Sequence, residues 1–180
     1  MDMTLMKAWL IRWEGSRAQA YDDATGKPLA GQPCIGNPTI GVGLNLRTAA
    51  ACSAITALGL DFEGVLDGHI SLTAAQIDTL LDGSINDALG SAKALLPAFG
   101  SYPDNQQLVL VDLAFNMGQA TLGTFHTFLG FVAAQNWTRA SLDLRGTEWF
   151  GQVGSGPNQR GGADVAVLAG ADPQQILAQA

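Results

Sequence analysis

The chain has 180 residues, 47% of them hydrophobic and 14% charged, enough for one compact domain with a sizeable core. Its net charge of −7 and pI of about 4.5 disfavour nucleic acid, whose binding is driven by counterion release against Lys and Arg. The same charge is repelled on average by anionic lipid and anionic wall polymers, so a ligand of that kind has to be held by local contacts.

Cys34 and Cys52 are too few for a disulfide scaffold and leave open one bridge or two free thiols. His69 and His126 lie far apart with no Cys or His at ligand spacing, so neither a metal nor another cofactor is expected. Asp2, Lys7 and Arg12 interrupt the apolar N-terminal segment, so no signal peptide is expected there and synthesis in the bacterial cytoplasm is. No apolar run approaches the roughly 18 residues of a membrane span.

In chain order, residues 3–14 read as an amphipathic helix, with Met6, Leu10 and Trp13 on one stripe and Leu5 and Trp9 beside it. Both tryptophans read as core. Glu14 ends the stripe and Gly15 stops the helix. A carboxyl at the end of an apolar face is half-desolvated, an environment suited to a general acid; the plain alternative is a solvated terminal carboxylate. Residues 16–46, rich in Gly, Pro, Asp and Thr, read as a small β lobe. Ala18–Tyr21 is a strand, Asp22–Gly26 a turn, Lys27–Pro38 a loop, and Thr39–Gly43 a strand. Gly41 and Gly43 fall on one face, open to close approach by a ligand. Neither phosphate-binding glycine motif is complete there.

From Thr48 the pattern turns helical. Thr48 caps Ala49–Leu58, which Gly59 ends. Asp61–Asp67 alternates carboxylates without a calcium-loop pattern and reads as a loop. Thr73 and Gln76 form a capping box opening a long helix with Ile77, Leu80, Leu81, Ile85, Ala88, Leu89 and Ala92 inward, and Pro97 follows it. Asp104 caps a helix over Gln106–Asn116 with Leu108, Val111 and Phe115 inward; Gly118 and Gly123 bracket a turn. Phe125–Ala134, 138–145 and Ala163–Leu168 read as further helices, Pro173 onward as a last turn, and Glu148 as a helix-end charge. The whole is α+β, mostly α: a single domain over 1–180 with helix 3–14, a β lobe over about 16–46 and a helical lobe over about 48–180. A cleft between lobes is the default substrate site.

Several stretches carry a resemblance. Glu14 is followed by Gly15, then Tyr21, then Asp23 nine residues after Glu14, then Thr39-Ile-Gly-Val-Gly. Leu72-Thr73 opens the long helix, Leu113-Ala-Phe-Asn-Met-Gly118 ends a buried one, and Trp149 to Arg160 pairs a Trp with an Arg near the C-terminus. In that order the chain resembles the phage-type, T4 lysozyme-like muramidases of glycoside hydrolase family 24. It departs from them in an enlarged loop over 26–38 and in Leu44, where the family often has His.

The resemblance implies a lysozyme-like two-lobed fold with a long interlobe helix. It implies an inverting N-acetylmuramidase that cuts the β-1,4 bond between N-acetylmuramic acid and N-acetylglucosamine in peptidoglycan. By it, Glu14 is the general acid, Asp23 the ionised carboxylate that stabilises the oxocarbenium-like transition state, and Thr39 the partner of the attacking water, while Asn116 and Arg160 bind substrate, Arg160 with a salt bridge or hydrogen bond near Glu14. Asp22 competes with Asp23, and Asn116 with Met117 also reads as a buried cap. Arg160 also reads as a surface arginine at a helix start. Two other functions are weighed: a lytic transglycosylase, which needs the Glu but no water-positioning Asp and Thr, and a non-catalytic glycan-binding module. The expected enzyme is monomeric, acts on the glycan strand in the periplasm, and is delivered by a holin-dependent phage lysis system or a secretion-system assembly.

Overall fold

The computed structural model describes residues 1–179. Its elements run α1 (Met3–Glu14), β1 (Arg17–Asp22), β2 (Pro38–Gly41), β3 (Leu44–Asn45), α2 (Ala49–Ala57), α3 (Phe62–Leu66), α4 (Ala74–Leu95), a 3-10 turn (Phe99–Ser101), α5 (Asp104–Gly123), α6 (His126–Ala133), α7 (Trp137–Arg145), α8 (Glu148–Gln152), α9 (Arg160–Leu168) and α10 (Pro173–Ala178). This is the expected α+β, mostly helical class. The chain forms two compact units, Glu14–Ser84 and Met1–Trp13 with everything from Ile85 onward. The boundaries fall at the end of α1 and inside α4.

In the Glu14–Ser84 unit the three strands pair antiparallel in the order β1-β2-β3. Side chains alternate across a strand. Ala20 and Ile40 therefore enter one core with Leu29, Leu46, Ile55, Val65, Leu72 and Leu80, while Tyr21, Thr39 and Asn45 form a row on the other face. Leu44 packs against that core, consistent with packing in place of a polar contact. Thr48 Oγ1 accepts the Ala51 N–H at 3.1 Å and starts α2. Thr73 and Gln76 cap α4 reciprocally, Gln76 Oε1 accepting the Thr73 N–H at 2.8 Å and Thr73 Oγ1 the Gln76 N–H at 3.3 Å. The Asp61–Asp67 stretch, expected as a loop, contains α3. Asp61 accepts the Gly64 N–H at 3.0 Å and Glu63 sits in the first turn, so these carboxylates are helix-start chemistry.

In the other unit α5 is buried on all sides from Gln106 to Ala114, as a helix through the middle of a core must be. The narrower stripe expected there is corrected: Phe115 is only half-buried. Asp104 is the first helical residue rather than a cap, and it accepts a bond from the Met1 amino group at 2.9 Å. The chain does not leave the helix between Gly118 and Gly123. It breaks once, at Gly118 (φ +74°), and resumes. Of the phenylalanines around α6 only Phe128 is fully buried. The sequence did not suggest α8. Thr147 caps it by accepting the Phe150 N–H at 3.3 Å, so Glu148 is an exposed helix-end charge as expected, at the start of α8. Arg160 opens α9, three residues earlier than expected.

A buried ionic network ties α5 to α9. Arg160 Nε and Nη2 donate to Asp112 Oδ2 and Oδ1, each at 2.9 Å, a bidentate pair with Arg160 6% and Asp112 0% exposed. Asp164, one turn further along α9 and fully buried, accepts the Trp9 Nε1–H at 3.2 Å. Burial, and then the Asp112 charge, push the Asp164 pKa well up, with Arg160 and Trp9 opposing. Its second oxygen is buried without a hydrogen-bond partner. Burial beside the Asp112 carboxylate thus favours the neutral form of Asp164.

An acid whose pKa is raised by folding favours the folded state fully below its unfolded value, and that contribution is lost as pH rises through the folded value. Asp164→Asn keeps the acceptor for Trp9 and supplies an N–H for Asp112. It should flatten the stability–pH curve above about pH 4 and gain on the parent as pH rises, read by denaturant unfolding. Parallel curves would show that Asp164 holds no proton. Asp112→Ala strands the buried guanidinium and should cost about 3–5 kcal/mol.

Candidate active site

Glu14 ends α1 half-buried, and Gly15 (φ +72°) turns the chain toward β1. Its carboxylate rests on the β2–β3 turn: a Cβ on Gly43 would stand 3.1 Å from Glu14 Oε2. Gly41 (φ +63°) and Gly43 (φ +70°) have left-handed backbones that L side chains avoid. The glycine pair therefore serves the hairpin turn and the close approach of Glu14.

Tyr21 reports which charges lie nearby. Burial raises its hydroxyl pKa; the Arg17 guanidinium, 4.2 Å over its ring, pulls it down, and the Glu14 and Asp23 carboxylates push it up. Both candidate carboxylates thus act on one phenol. Thr39, 5% exposed, is the cross-strand partner of Tyr21. Glu14, Asp23 and Thr39 are therefore grouped around one residue of β1.

The two neighbouring aspartates have different environments. Asp22, 4% exposed, accepts backbone N–H bonds from Ala24 at 2.9 Å and Gly36 at 3.0 Å on Oδ1 and from Ile35 at 2.9 Å on Oδ2. These donors, Ile35 foremost, pull its pKa down. Asp23 is exposed, and Asn37 donates to it from the backbone (2.7 Å to Oδ1) and from the side chain (3.1 Å to Oδ2). Nothing in the sequence had singled out Asn37.

The enlarged loop is packed rather than loose. Leu29 enters the core, Pro28 bridges to Tyr21, and Arg47 Nη2 donates to the Gly36 carbonyl at 2.9 Å. Gly36 lets the loop return close: a Cβ there would run into Asp23 Oδ1 and lie 2.8 Å from the Ala24 backbone. Ile35, 81% exposed, projects from it. Cys34 and Cys52 are both free thiols.

Asn116 and Arg160 belong to the other unit. Asn116 is exposed, accepts the Trp149 Nε1–H at 2.7 Å, and lines a groove of about 520 Å³ with Met117, Phe125, Glu148 and Trp149. Its expected alternative as a buried cap is corrected by that exposure. Arg160 is at a helix start, as one reading had it, but it is a buried partner of Asp112 rather than a surface residue.

A small antiparallel sheet, helices around it and a carboxylate at the end of the first helix describe a lysozyme-like α+β protein. The phage lysozyme family model matches residues 11–160, a span holding all five candidate residues, and the chain belongs to that family. No match to a curated protein accompanies it. The family's substrate is peptidoglycan and its activity that of a lysozyme, a glycoside hydrolase acting on the bacterial cell wall; both extend to this chain. No single described helix is long and apolar enough to cross a membrane.

Two outcomes test this geometry. Asp22→Asn turns an N–H donor toward one of three backbone donors. The Ile35 and Gly36 amides should then exchange with solvent faster at neutral pH. A carboxylate whose pKa is lowered by folding stabilises above its unfolded value and less as pH falls through the folded value. Protection in the parent should accordingly fade in acid, while the variant shows no such fade. Unchanged exchange in Asp22→Asn would dissolve the anchor. Gly43→Ala forces a left-handed Ala and crowds Glu14, and should cost roughly 1–3 kcal/mol in thermal unfolding and lower turnover.

Proposed function

We propose that the chain is an inverting N-acetylmuramidase, cutting the β-1,4 bond between N-acetylmuramic acid and N-acetylglucosamine, with Glu14, Asp23 and Thr39 as its catalytic residues. The observation that carries the reading is the grouping of Glu14, Asp23 and Thr39 around Tyr21. Hydrolysis with inversion needs an acid for the leaving oxygen, and a second carboxylate on the opposite side with room for water. Glu14, half-buried at the end of an apolar helix, suits the acid. Asp23, exposed and supplied with two N–H donors, suits the ionised partner, whereas the oxygens of Asp22 are occupied by the backbone. Thr39 brings a hydroxyl to hold water. Asn116, on the groove beside Trp149, is proposed to meet the glycan or its peptide, and Arg160 to support the site from within its own unit.

The test is digestion of purified peptidoglycan, with borohydride-reduced fragments read by mass spectrometry. Reducible muramic acid ends are expected; 1,6-anhydro ends would make the enzyme a lytic transglycosylase and demote Asp23 and Thr39 to structural residues. Absence of fragments would favour a binding module. Glu14→Gln should abolish turnover with the fold intact, and retention of more than a few per cent would remove Glu14 from its role. Asp23→Asn should lose roughly 2–4 kcal/mol of transition-state stabilisation, the scale of one electrostatic contact. A larger loss in Asp22→Asn would move the assignment by one residue.

A further inference from the structure

We propose that Asn37 is a positioning residue for the hydrolysis, the group that orients the Asp23 carboxylate and the Thr39 hydroxyl together. The inference rests on the proposed roles of those two residues. Asn37 is half-buried where the enlarged loop returns to β2. Four hydrogen bonds meet on it. Its backbone N–H donates to Asp23 Oδ1 at 2.7 Å and its side-chain Nδ2 to Asp23 Oδ2 at 3.1 Å. Its carbonyl accepts the Asp23 N–H at 3.1 Å and the Thr39 hydroxyl at 3.3 Å.

The chemistry follows from donor and acceptor inventories. An ionised carboxylate only accepts, so the amide face turned to Asp23 is its NH₂, and the two donors from one residue fix the plane of the carboxylate. A threonine hydroxyl has one proton and two lone pairs. With its O–H donating a hydrogen bond to the Asn37 carbonyl, the oxygen of Thr39 presents lone pairs and accepts a hydrogen bond from water. Water bound between Thr39 and Asp23 would then donate to both and keep its own lone pair for the anomeric carbon. Gly36 permits this arrangement by leaving the space that a Cβ would take from Asp23. The enlarged loop, which in sequence separates Asp23 from Thr39, is in this reading the carrier of the residue that joins them.

Asn37→Ala keeps all three main-chain bonds and removes only the Nδ2 donor. Turnover of soluble glycan fragments should fall about tenfold in kcat, with KM within about twofold and the melting temperature close to the parent's; tenfold corresponds to about 1.4 kcal/mol. Asn37→Asp, the same size but without the donor, should fall at least as far. Asp23→Ala serves as the control for the underlying reading. If it keeps parental turnover, the catalytic role of Asp23 fails and that of Asn37 with it. If Asp23→Ala is crippled but Asn37→Ala keeps parental kcat, only the Asn37 proposal is overturned. A loss that appears as a raised KM or a lowered melting temperature, or failure of both Asn37 variants to fold, would make Asn37 structural and also overturn it.

Discussion

Three backbone N–H groups converging on the Asp22 carboxylate are the constraint on which the arrangement of the candidate site depends. Buried backbone donors have to be satisfied, and an enlarged loop has no ladder of its own to satisfy them. Asp22 takes two from Ile35 and Gly36, at the returning end of the loop, and one from Ala24, in the turn that begins it. The two ends of the loop are thereby held to one side chain. Once they are, Asn37 falls beside Asp23, and Thr39 enters β2 opposite Tyr21. Leu29 anchors the middle of the loop by burial, an interaction without direction; Asp22 supplies the direction.

The other unit handles buried polarity differently. Asp112, Arg160, Asp164 and Trp9 sit where water does not reach, and two carboxylates with one guanidinium would leave a net charge in a low-dielectric core. Burial and the Asp112 charge raise the Asp164 pKa, and its neutral form removes that charge and the repulsion between the two carboxyls. The network joins the start of α9 to the middle of α5, so it sets how the segment that carries Trp149 and Arg160 meets the helix that carries Asn116. Directional charged contacts of this kind define a register that the aliphatic side chains around them would leave loose.

What was legible in the sequence was what local rules decide. The Thr73–Gln76 capping box and the stop at Gly15 each depend on a few adjacent residues and lie where the pattern put them, while the strand expected over Thr39–Gly43 runs over Pro38–Gly41 and gives way to the turn at Gly43. The phage lysozyme class was legible too, because Asp23 follows Glu14 at the family's nine-residue spacing and Thr39 opens a Thr-Ile-Gly-Val-Gly stretch of the family's kind. The misses share a different cause. Asp61 was a cap that looked like a loop acid, since a helix of five residues shows too little periodicity to announce itself. The stripe on α5 was drawn too narrow because a helix surrounded by others buries every face, and periodicity identifies only one-sided burial. Asn37 and Asp164 were invisible for a third reason. Their partners lie 14 residues away for Asn37 and 155 for the Trp9–Asp164 bond, and no local pattern encodes a contact that only the fold creates.

Asp22, Asp23 and Asp164 are the same amino acid in three electrostatic settings, and the settings are what separate their roles. Backbone N–H groups surround Asp22 and favour its charge, but they also use its oxygens, so it is well suited to hold a loop and poorly suited to meet a substrate. Burial, the Asp112 carboxylate and few donors surround Asp164, which favours its neutral form. Asp23 lies between these extremes. It has two donors on one residue, which hold it in place, and an exposed side, which leaves lone pairs for water or for a cationic transition state. A carboxylate for glycoside hydrolysis has to be both held and accessible. Of the three, only Asp23 meets both conditions, and the residue that lets it do so stands on the loop that Asp22 closes.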